Sequence, residues 1–236
     1  MKKLVITLVL VFISGMGVSQ PRTVSRSFQV NKNEKIDLNL KHGGSINIKS
    51  WDKNKVVFKA IIEINQGSLN DALTLNFNHK ERQLQITSSY NKEKLKNSHV
   101  QKCKGQNQLR YSVRGENKNY AICHKITYQI MLPKAVALNV QSINADIKVV
   151  GFIGPVRVKT ISGFVDLSRP ANIPTNVKLK TVSGKIYTDI NITERKKNDD
   201  ADRGYPPHIF KGTIKGGGDK LKLESISGNL YLRKVK

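Results

Sequence analysis

Three stretches of the chain share one pattern of alternating apolar and polar residues. They are VRVKTISGFVDL at 156–167, VKLKTVSGKIYT at 177–188 and LKLESISGNLYL at 221–232. In the first copy, Val156 and Val158 lie on one face of a predicted strand. The alternation then shifts by one residue, and Ile161, Val165 and Leu167 follow on the other parity. The backbone must bend there to keep this second apolar set inward, so each copy predicts two short strands joined by a corner.

A Ser-Gly pair follows the shift in each of the three copies. Glycine accepts a positive φ or a close backbone approach, and the small serine hydroxyl is suited to bonding the local backbone. The predicted structural corners are Ser162, Gly163, Ser183, Gly184, Ser227 and Gly228.

A fourth, degenerate copy (LNVQSINADIKV, 138–149) has Asn144-Ala145 at the corner. A repeat of about 20 residues with two strands and a corner is typical of a stacked β-solenoid. A serial β-sandwich is the alternative, but it does not require the same corner in every repeat. We therefore predict an all-β fold, a single-stranded β-helix-like solenoid of short strands with Ser-Gly corners. Val158, Leu179 and Leu223 should then form one interior row.

The first half of the chain also alternates, as in KIDLNLKHGGSINIKSW at 35–51. Two segments interrupt the pattern: a basic one at about 91–119 and a loop at about 191–217. We interpret both as insertions that project from a single domain spanning 20–236.

The first 19 residues have the features of a secretory signal peptide. Lys2 and Lys3 precede a short apolar run, and Gly17 and Ser19 occupy the −3 and −1 positions of a cleavage site. A retained membrane anchor is the alternative. After removal of this segment we expect no transmembrane segment, and we expect the protein in the periplasm, at the cell surface or secreted.

Charge and cysteine content fit an exported protein. The formal charge is +24, and removal of Lys2 and Lys3 leaves +22. Such a high positive charge attracts anionic partners, although it would equally keep the protein soluble. Cys103 and Cys123 are predicted to form a disulfide because the compartment is oxidising, with two free thiols as the alternative.

Three stretches together resemble the Toast-rack putative-adhesin family of exported bacterial envelope proteins: KGTIKGGGDKLKLESISGNLYL, INIKSWDKNKVVFKA and ITYQIMLPKAVALNVQSINADIKV. The Gly216–Leu232 ending and Pro133-Lys134 carry the resemblance, which covers roughly residues 28–235 outside the basic segment. It implies a β-helix-like fold and an exported location, and it supplies no catalytic residue.

Candidate enzymatic chemistry is sparse in this sequence, and we predict no catalytic residue, metal site or cofactor. The histidines (His42, His79, His99, His124 and His208) lack the spacing of a metal site or a triad. Asp199, Asp200 and Asp202 are interpreted as a solvated turn, with a hard cation such as calcium as the alternative. A β-helix enzyme acting on acidic polysaccharide would depend on Asp146 and Asp166, which do not form an obvious pair.

The outward positions of the repeats give the one positive functional signal. If the repeats stack in register, basic and aromatic side chains form columns about 4.8 Å apart. The candidate anion-binding face consists of Arg157, Lys159, Lys178, Lys180, Lys185, Lys222, Tyr187 and Tyr231. We expect a non-enzymatic, adhesin-like binding or scaffold domain that engages anionic glycans, lipid headgroups or the membrane surface. Nucleic acid would be an incidental partner.

Overall fold

The structure is a computed structural model that describes residues 20–96, 98, 103, 107–112, 119–194 and 207–235. The proposed signal peptide and the aspartates at 199, 200 and 202 lie outside the described residues. Among the described helices, none has the length and apolar character needed to span a bilayer.

The described part of the chain is all-β, which confirms the predicted class. Besides strands it contains short 3₁₀ turns at Asn65–Gly67 and Asn70–Ala72 and a single helical turn, α1 (Lys92–Leu95). The strands of the first half are β1 (Arg22–Gln29), β2 (Lys35–Leu40), β3 (Ser45–Trp51), β4 (Lys55–Ile64), β5 (Leu73–Lys80), β6 (Gln83–Tyr90), β7 (Asn107–Ser112) and β8 (Asn119–Pro133). Those of the second half are β9 (Ala137–Gln141), β10 (Asp146–Val150), β11 (Val156–Lys159), β12 (Val165–Arg169), β13 (Thr175–Thr181), β14 (Ile186–Thr188), β15 (Thr193–Glu194), β16 (His208–Ile214), β17 (Asp219–Ser225) and β18 (Leu230–Lys234).

These strands form two sheets of nine strands within the described residues. Sheet 1 has the order β1-β4-β8-β3-β10-β12-β18-β14, with β7 paired to β8. Sheet 2 has the order β15-β16-β13-β17-β11-β9-β2-β6-β5. Each repeat contributes its first strand to sheet 2 and its second strand to sheet 1, and equivalent strands pair in parallel. The repeats therefore stack with their two strands in different sheets.

The predicted interior row exists and is longer than expected. In sheet 2, Leu38, Val140, Val158, Leu223 and Leu179 follow one another in register. All five side chains are almost completely buried. Alternation produces this row because every second residue of a strand points to the same face.

The repeats do not stack in the order in which they occur along the chain. Strand β17 lies between β11 and β13, and β18 lies between β12 and β14. The last repeat, 219–234, is thus inserted between the repeat at 156–169 and the repeat at 175–188.

The corners require glycine because they approach one another closely. A Cβ added to Gly228 would lie 1.8 Å from the carbonyl oxygen of Gly163, and one added to Gly184 would lie 2.0 Å from that of Gly228. Gly163 also has a φ of 107°. Close backbone approach therefore explains all three glycines, and positive φ applies to Gly163.

The hydroxyl that bonds to each corner belongs to a different residue from the one predicted. Thr181 Oγ1 donates to the Gly228 carbonyl at 2.9 Å and accepts from the Gly184 N–H at 3.1 Å. Ser225 Oγ likewise donates to the Gly163 carbonyl at 3.2 Å and accepts from the Gly228 N–H at 2.9 Å. Both hydroxyl residues are buried, since each is the last inward position of its strand. The side chains of the predicted serines are exposed: Ser162, Ser183 and Ser227.

The aliphatic residue that begins each corner faces outward, which corrects the prediction that it belongs to the inward set. Ile161 and Ile226 are 41% and 43% exposed. Val182, at the equivalent position, is half-buried. The bend starts directly after the buried hydroxyl residue. The residue at which the alternation shifts therefore points its side chain towards solvent.

The segment 191–217, which we expected to project from the stack, contributes two strands to sheet 2. Strand β16 pairs antiparallel with β13, and β15 pairs with β16. In the segment 91–119, β7 pairs with β8 and extends sheet 1. The disulfide between Cys103 and Cys123 is present, with the two Cα atoms 5.3 Å apart, and confirms the predicted pairing.

Candidate anion-binding site

Basic side chains lie opposite one another across four neighbouring strands of sheet 2. Arg157 pairs in register with Lys222, Lys222 with Lys178, and Lys178 with Lys211. These residues alternate with buried aliphatic residues such as Val156 and therefore point to the outer face. Like charges in adjacent strands repel one another, so this row favours a counter-charge.

The row borders a shallow depression of about 250 Å³ on the outer face of sheet 2. Four lysines surround it, and Asn176 adds an amide at one end, with its Nδ2 donating to the Gly218 carbonyl at 2.5 Å. The lysines that line the depression are Lys178, Lys211, Lys220 and Lys222. A depression of this size, with ammonium groups on several sides, can hold a phosphate, sulfate or carboxylate group.

A second row beside the first contains the carboxylate that partly neutralises the face. Glu224 pairs in register with Lys159 on one side and Lys180 on the other. Its carboxylate forms ion pairs with Lys222 at 2.8 Å and Arg157 at 3.6 Å. Burial alone would raise the pKa of Glu224, but the hydrogen bond and charge of Lys222 and the charges of Arg157 and Lys159 outweigh it and lower that pKa.

Sheet 2 thus gathers more cations than the sequence predicted. Lys211 and Lys220 were missed because β16 lies in the segment interpreted as a projection and because Lys220 precedes the repeated phrase. The alternation of HIFKGTI at 208–214, and the shared parity of Lys220 with Lys222, are the signals that could have found them. The complete basic face of sheet 2 consists of Arg157, Lys159, Lys178, Lys180, Lys211, Lys220 and Lys222.

The structure places the predicted tyrosines on the other sheet. Tyr187 and Tyr231 pair in register in sheet 1, with ring centroids 5.1 Å apart and planes 9° from parallel. The guanidinium of Arg233 lies 4.7 Å from the Tyr231 ring centroid, and Lys185 directly precedes β14. The eight residues predicted as one face therefore divide between the outer surfaces of two sheets.

The aromatic row continues across sheet 1. Phe164 meets the Tyr231 ring edge-on at 6.2 Å, and the Lys148 ammonium lies 5.8 Å from the Phe164 centroid. Because Tyr187 covers one side of Tyr231 and Arg233 contacts the ring as well, Tyr187 is the more accessible ring, at 45% exposure. The ring of Tyr187 therefore remains partly open to solvent at the end of this row.

The two aspartates considered for glycosidic chemistry have other partners. Asp146 Oδ1 accepts a hydrogen bond from the Phe164 N–H at 3.1 Å. Asp166 Oδ1 accepts from Arg233 Nε at 3.1 Å. Within the described ranges, no group of three or more His, Cys, Asp or Glu side chains is arranged to hold a metal ion.

Two histidines have partners or surroundings that the sequence did not indicate. His79 Nε2 lies 2.5 Å from Oε1 of the buried Glu34. His124 is completely buried, and its ring meets Tyr90 edge-on at 6.4 Å. Burial, followed by the nearby His42, lowers the pKa of His124 to about 4. The neutral imidazole is therefore its form at neutral pH.

Comparison with solved structures finds a similar fold in a protein of low sequence identity. A structure from Clostridium sporogenes described as a "putative cell adhesion protein" is 14% identical, with a TM-score of 0.54, over 92% of this chain and 100% of that chain. A "putative adhesin" from Bacteroides fragilis is 10% identical over 91% and 97% of the two chains, with a TM-score of 0.28. Protein-family profiles and curated proteins gave no match. The likeness to the Clostridium structure concerns the fold alone, and the Bacteroides structure, with its TM-score below 0.5, supports no conclusion.

Proposed function

We propose that this chain is an exported, adhesin-like protein of the cell envelope that binds an acidic surface glycan through the basic face of sheet 2. The observation that carries the proposal is the convergence of seven basic side chains on neighbouring strands of sheet 2, with Glu224 between Lys159 and Lys180. An extended polyanion matches such a surface because its charges repeat along its length as the lysines do across the strands.

In this proposal the stacked repeats are a β-solenoid of the Toast-rack type. The parallel, in-register pairing of equivalent strands and the repeated glycine corners support it. Export is supported by the charged and apolar pattern of residues 1–19 and by the disulfide, which is common in oxidising compartments. The "cell adhesion" description of the Clostridium structure agrees with a binding role.

The test compares two double charge reversals that change the net charge equally. Lys178→Glu with Lys220→Glu removes cations from the depression, whereas Lys49→Glu with Lys59→Glu removes exposed lysines from sheet 1. Retention of the mature chain on heparin resin and binding to a soluble acidic polysaccharide are measured against NaCl concentration. We expect the first variant to bind about tenfold more weakly and with a shallower salt dependence, because about two fewer counterions are released.

The control variant should stay close to the parent chain in both measurements. Equal losses in the two variants would mean that net charge, and not the basic face, determines binding, and the proposed site would be wrong. Retention that is insensitive to salt would also contradict it.

A further inference from the structure

A row of exposed aliphatic side chains runs along the corners, at the end of the basic face. Ile143, Ile161 and Ile226 are 38%, 41% and 43% exposed, and they are among the few large apolar residues exposed in the described residues. Val182 occupies the same position in the remaining repeat. We call these four residues the aliphatic ridge.

Backbone hydrogen bonds hold the ridge in line. The N–H of Ser162 donates to the Ile143 carbonyl at 2.6 Å, and that of Ser227 donates to the Ile161 carbonyl at 2.9 Å. The N–H of Ser183 donates to the Ile226 carbonyl at 2.8 Å. Successive ridge residues therefore lie in neighbouring strand layers, about 4.8 Å apart. The close glycine contacts beneath them leave the corners little freedom to rearrange.

Basic residues lie beside the ridge. Lys159 and Lys180 each precede a ridge residue by two positions and face outward on sheet 2. Lys41 adjoins the end of the row, since the Ile143 N–H donates to its carbonyl at 3.0 Å. Lys185 follows Val182 on the opposite side of the corner. The sheet 2 side of the ridge thus carries Lys159 and Lys180 with the carboxylate of Glu224 between them, and Lys185 lies on the other side.

We propose that the aliphatic ridge docks this protein on the surface of an anionic lipid bilayer. The ridge side chains enter the boundary between headgroups and acyl chains, and the flanking lysines contact lipid phosphates. Apolar contact and attraction to anionic lipid act together in such peripheral binding. A second copy of this chain is a poorer occupant, because a symmetric contact would bring Lys159 and Lys180 of both copies together with only Glu224 of each copy as counter-charge.

This docking surface is separate from the depression that binds glycan in the proposed function. The ridge lies on the corners and the depression lies between β13, β16 and β17 on sheet 2. The two surfaces share Lys159 and Lys180 of the basic face, whereas the ridge isoleucines and the lysines of the depression can each be changed alone.

The experiment measures flotation of the mature chain with phosphatidylcholine vesicles, with and without phosphatidylglycerol. The test variant carries Ile143→Ser, Ile161→Ser and Ile226→Ser. The control carries Val150→Ser and Val235→Ser, since these similarly exposed residues lie away from the corners: Val150 is the last residue of β10, and Val235 directly follows β18. We expect binding to anionic vesicles only, about tenfold weaker in the test variant and unchanged in the control. Heparin retention and the unfolding midpoint should change little in either.

A gain-of-signal variant keeps the test decisive if the triple variant folds poorly. Ile226→Trp adds a reporter to a chain whose only tryptophan is Trp51. Its emission, as a difference from the parent chain, should shift to the blue with anionic vesicles and be quenched by brominated acyl chains. Absence of both effects, or equal loss in test and control variants, overturns the proposal. So does a dimer that is disrupted by the serine substitutions while vesicle binding is absent, since the occupant would then be a second copy.

Discussion

Substitution of Gly228 by alanine should be among the most destabilising single changes in the corners. The added Cβ would lie 1.8 Å from the Gly163 carbonyl oxygen, whereas real Cβ contacts essentially never fall under 3.0 Å. The neighbouring atoms are backbone and cannot rotate away. Two stacked corners must therefore separate by more than 1 Å.

The size of the effect follows from what this separation breaks. The Ser227 N–H to Ile161 carbonyl bond, at 2.9 Å, and the Ser225 Oγ to Gly163 carbonyl bond, at 3.2 Å, join the same two corners. Both would exceed hydrogen-bond distance, at a cost of about 1 kcal/mol each. Overpacking adds about 1–3 kcal/mol, so we expect a loss of about 3–5 kcal/mol in the free energy of unfolding.

Urea unfolding followed by circular dichroism measures this loss. Gly44→Ala is the matched control, because its added Cβ would have its closest contact at 3.3 Å, with the Asn107 side chain. We expect the control to lose less than about 1 kcal/mol. If Gly228→Ala were as stable as Gly44→Ala, the close packing of the corners would not be what requires glycine.

Two further predictions concern ionisable groups. The folded-state pKa of His124, about 4, lies below the unfolded value of 6.5, so the unfolded state binds the proton first as the pH falls. The contribution of neutral His124 to the free energy of unfolding should be fully present above about pH 6.5 and decrease by about 3 kcal/mol towards pH 4. His124→Phe should flatten this part of the curve of unfolding free energy against pH. An unchanged slope in the variant would contradict the prediction. Glu224→Gln should increase heparin retention and lower the unfolding midpoint at low salt, because the cations around it lose their counter-charge. The folded-state pKa of Glu224 is lowered, so its contribution to the free energy of unfolding should be present above the unfolded-state pKa and fade as the pH falls below that value. An unfolding midpoint of Glu224→Gln that does not respond to salt would refute this electrostatic origin.

The interior of the repeats could be predicted from the sequence because burial imposes a period of two on each strand. For that reason one buried row of sheet 2 contains Val158, Leu179 and Leu223. The order of the repeats could not be predicted in the same way, because each copy offers the same pattern of hydrogen bonds and apolar positions to either neighbour. Placement of β17 between β11 and β13 is thus invisible in the repeated phrase.

Only the candidate-site residues that lie within the repeated phrase could be predicted from the sequence. Arg157, Lys178 and Lys222 belong to the repeated phrase, and the structure brings them together in one row. Lys211 reaches the same row through an antiparallel strand outside the phrase, which alternation within the repeats cannot reveal. The outward position of Ile161 was missed because the alternation of apolar and polar residues does not show at which residue of a corner the backbone bends.

The internal position of the last repeat sets an order of assembly. Strands β13 and β14 emerge from synthesis before β17 and β18, yet each needs the later strand as its parallel partner. Until β17 is synthesised, the backbone N–H and C=O groups of β13 that will pair with it have no strand to bond. The repeat at 156–169 lacks its β17 and β18 partners in the same way. Closure of this gap is a long-range event that requires the last two strands, so a nascent chain stays unfinished at that layer until they have been synthesised.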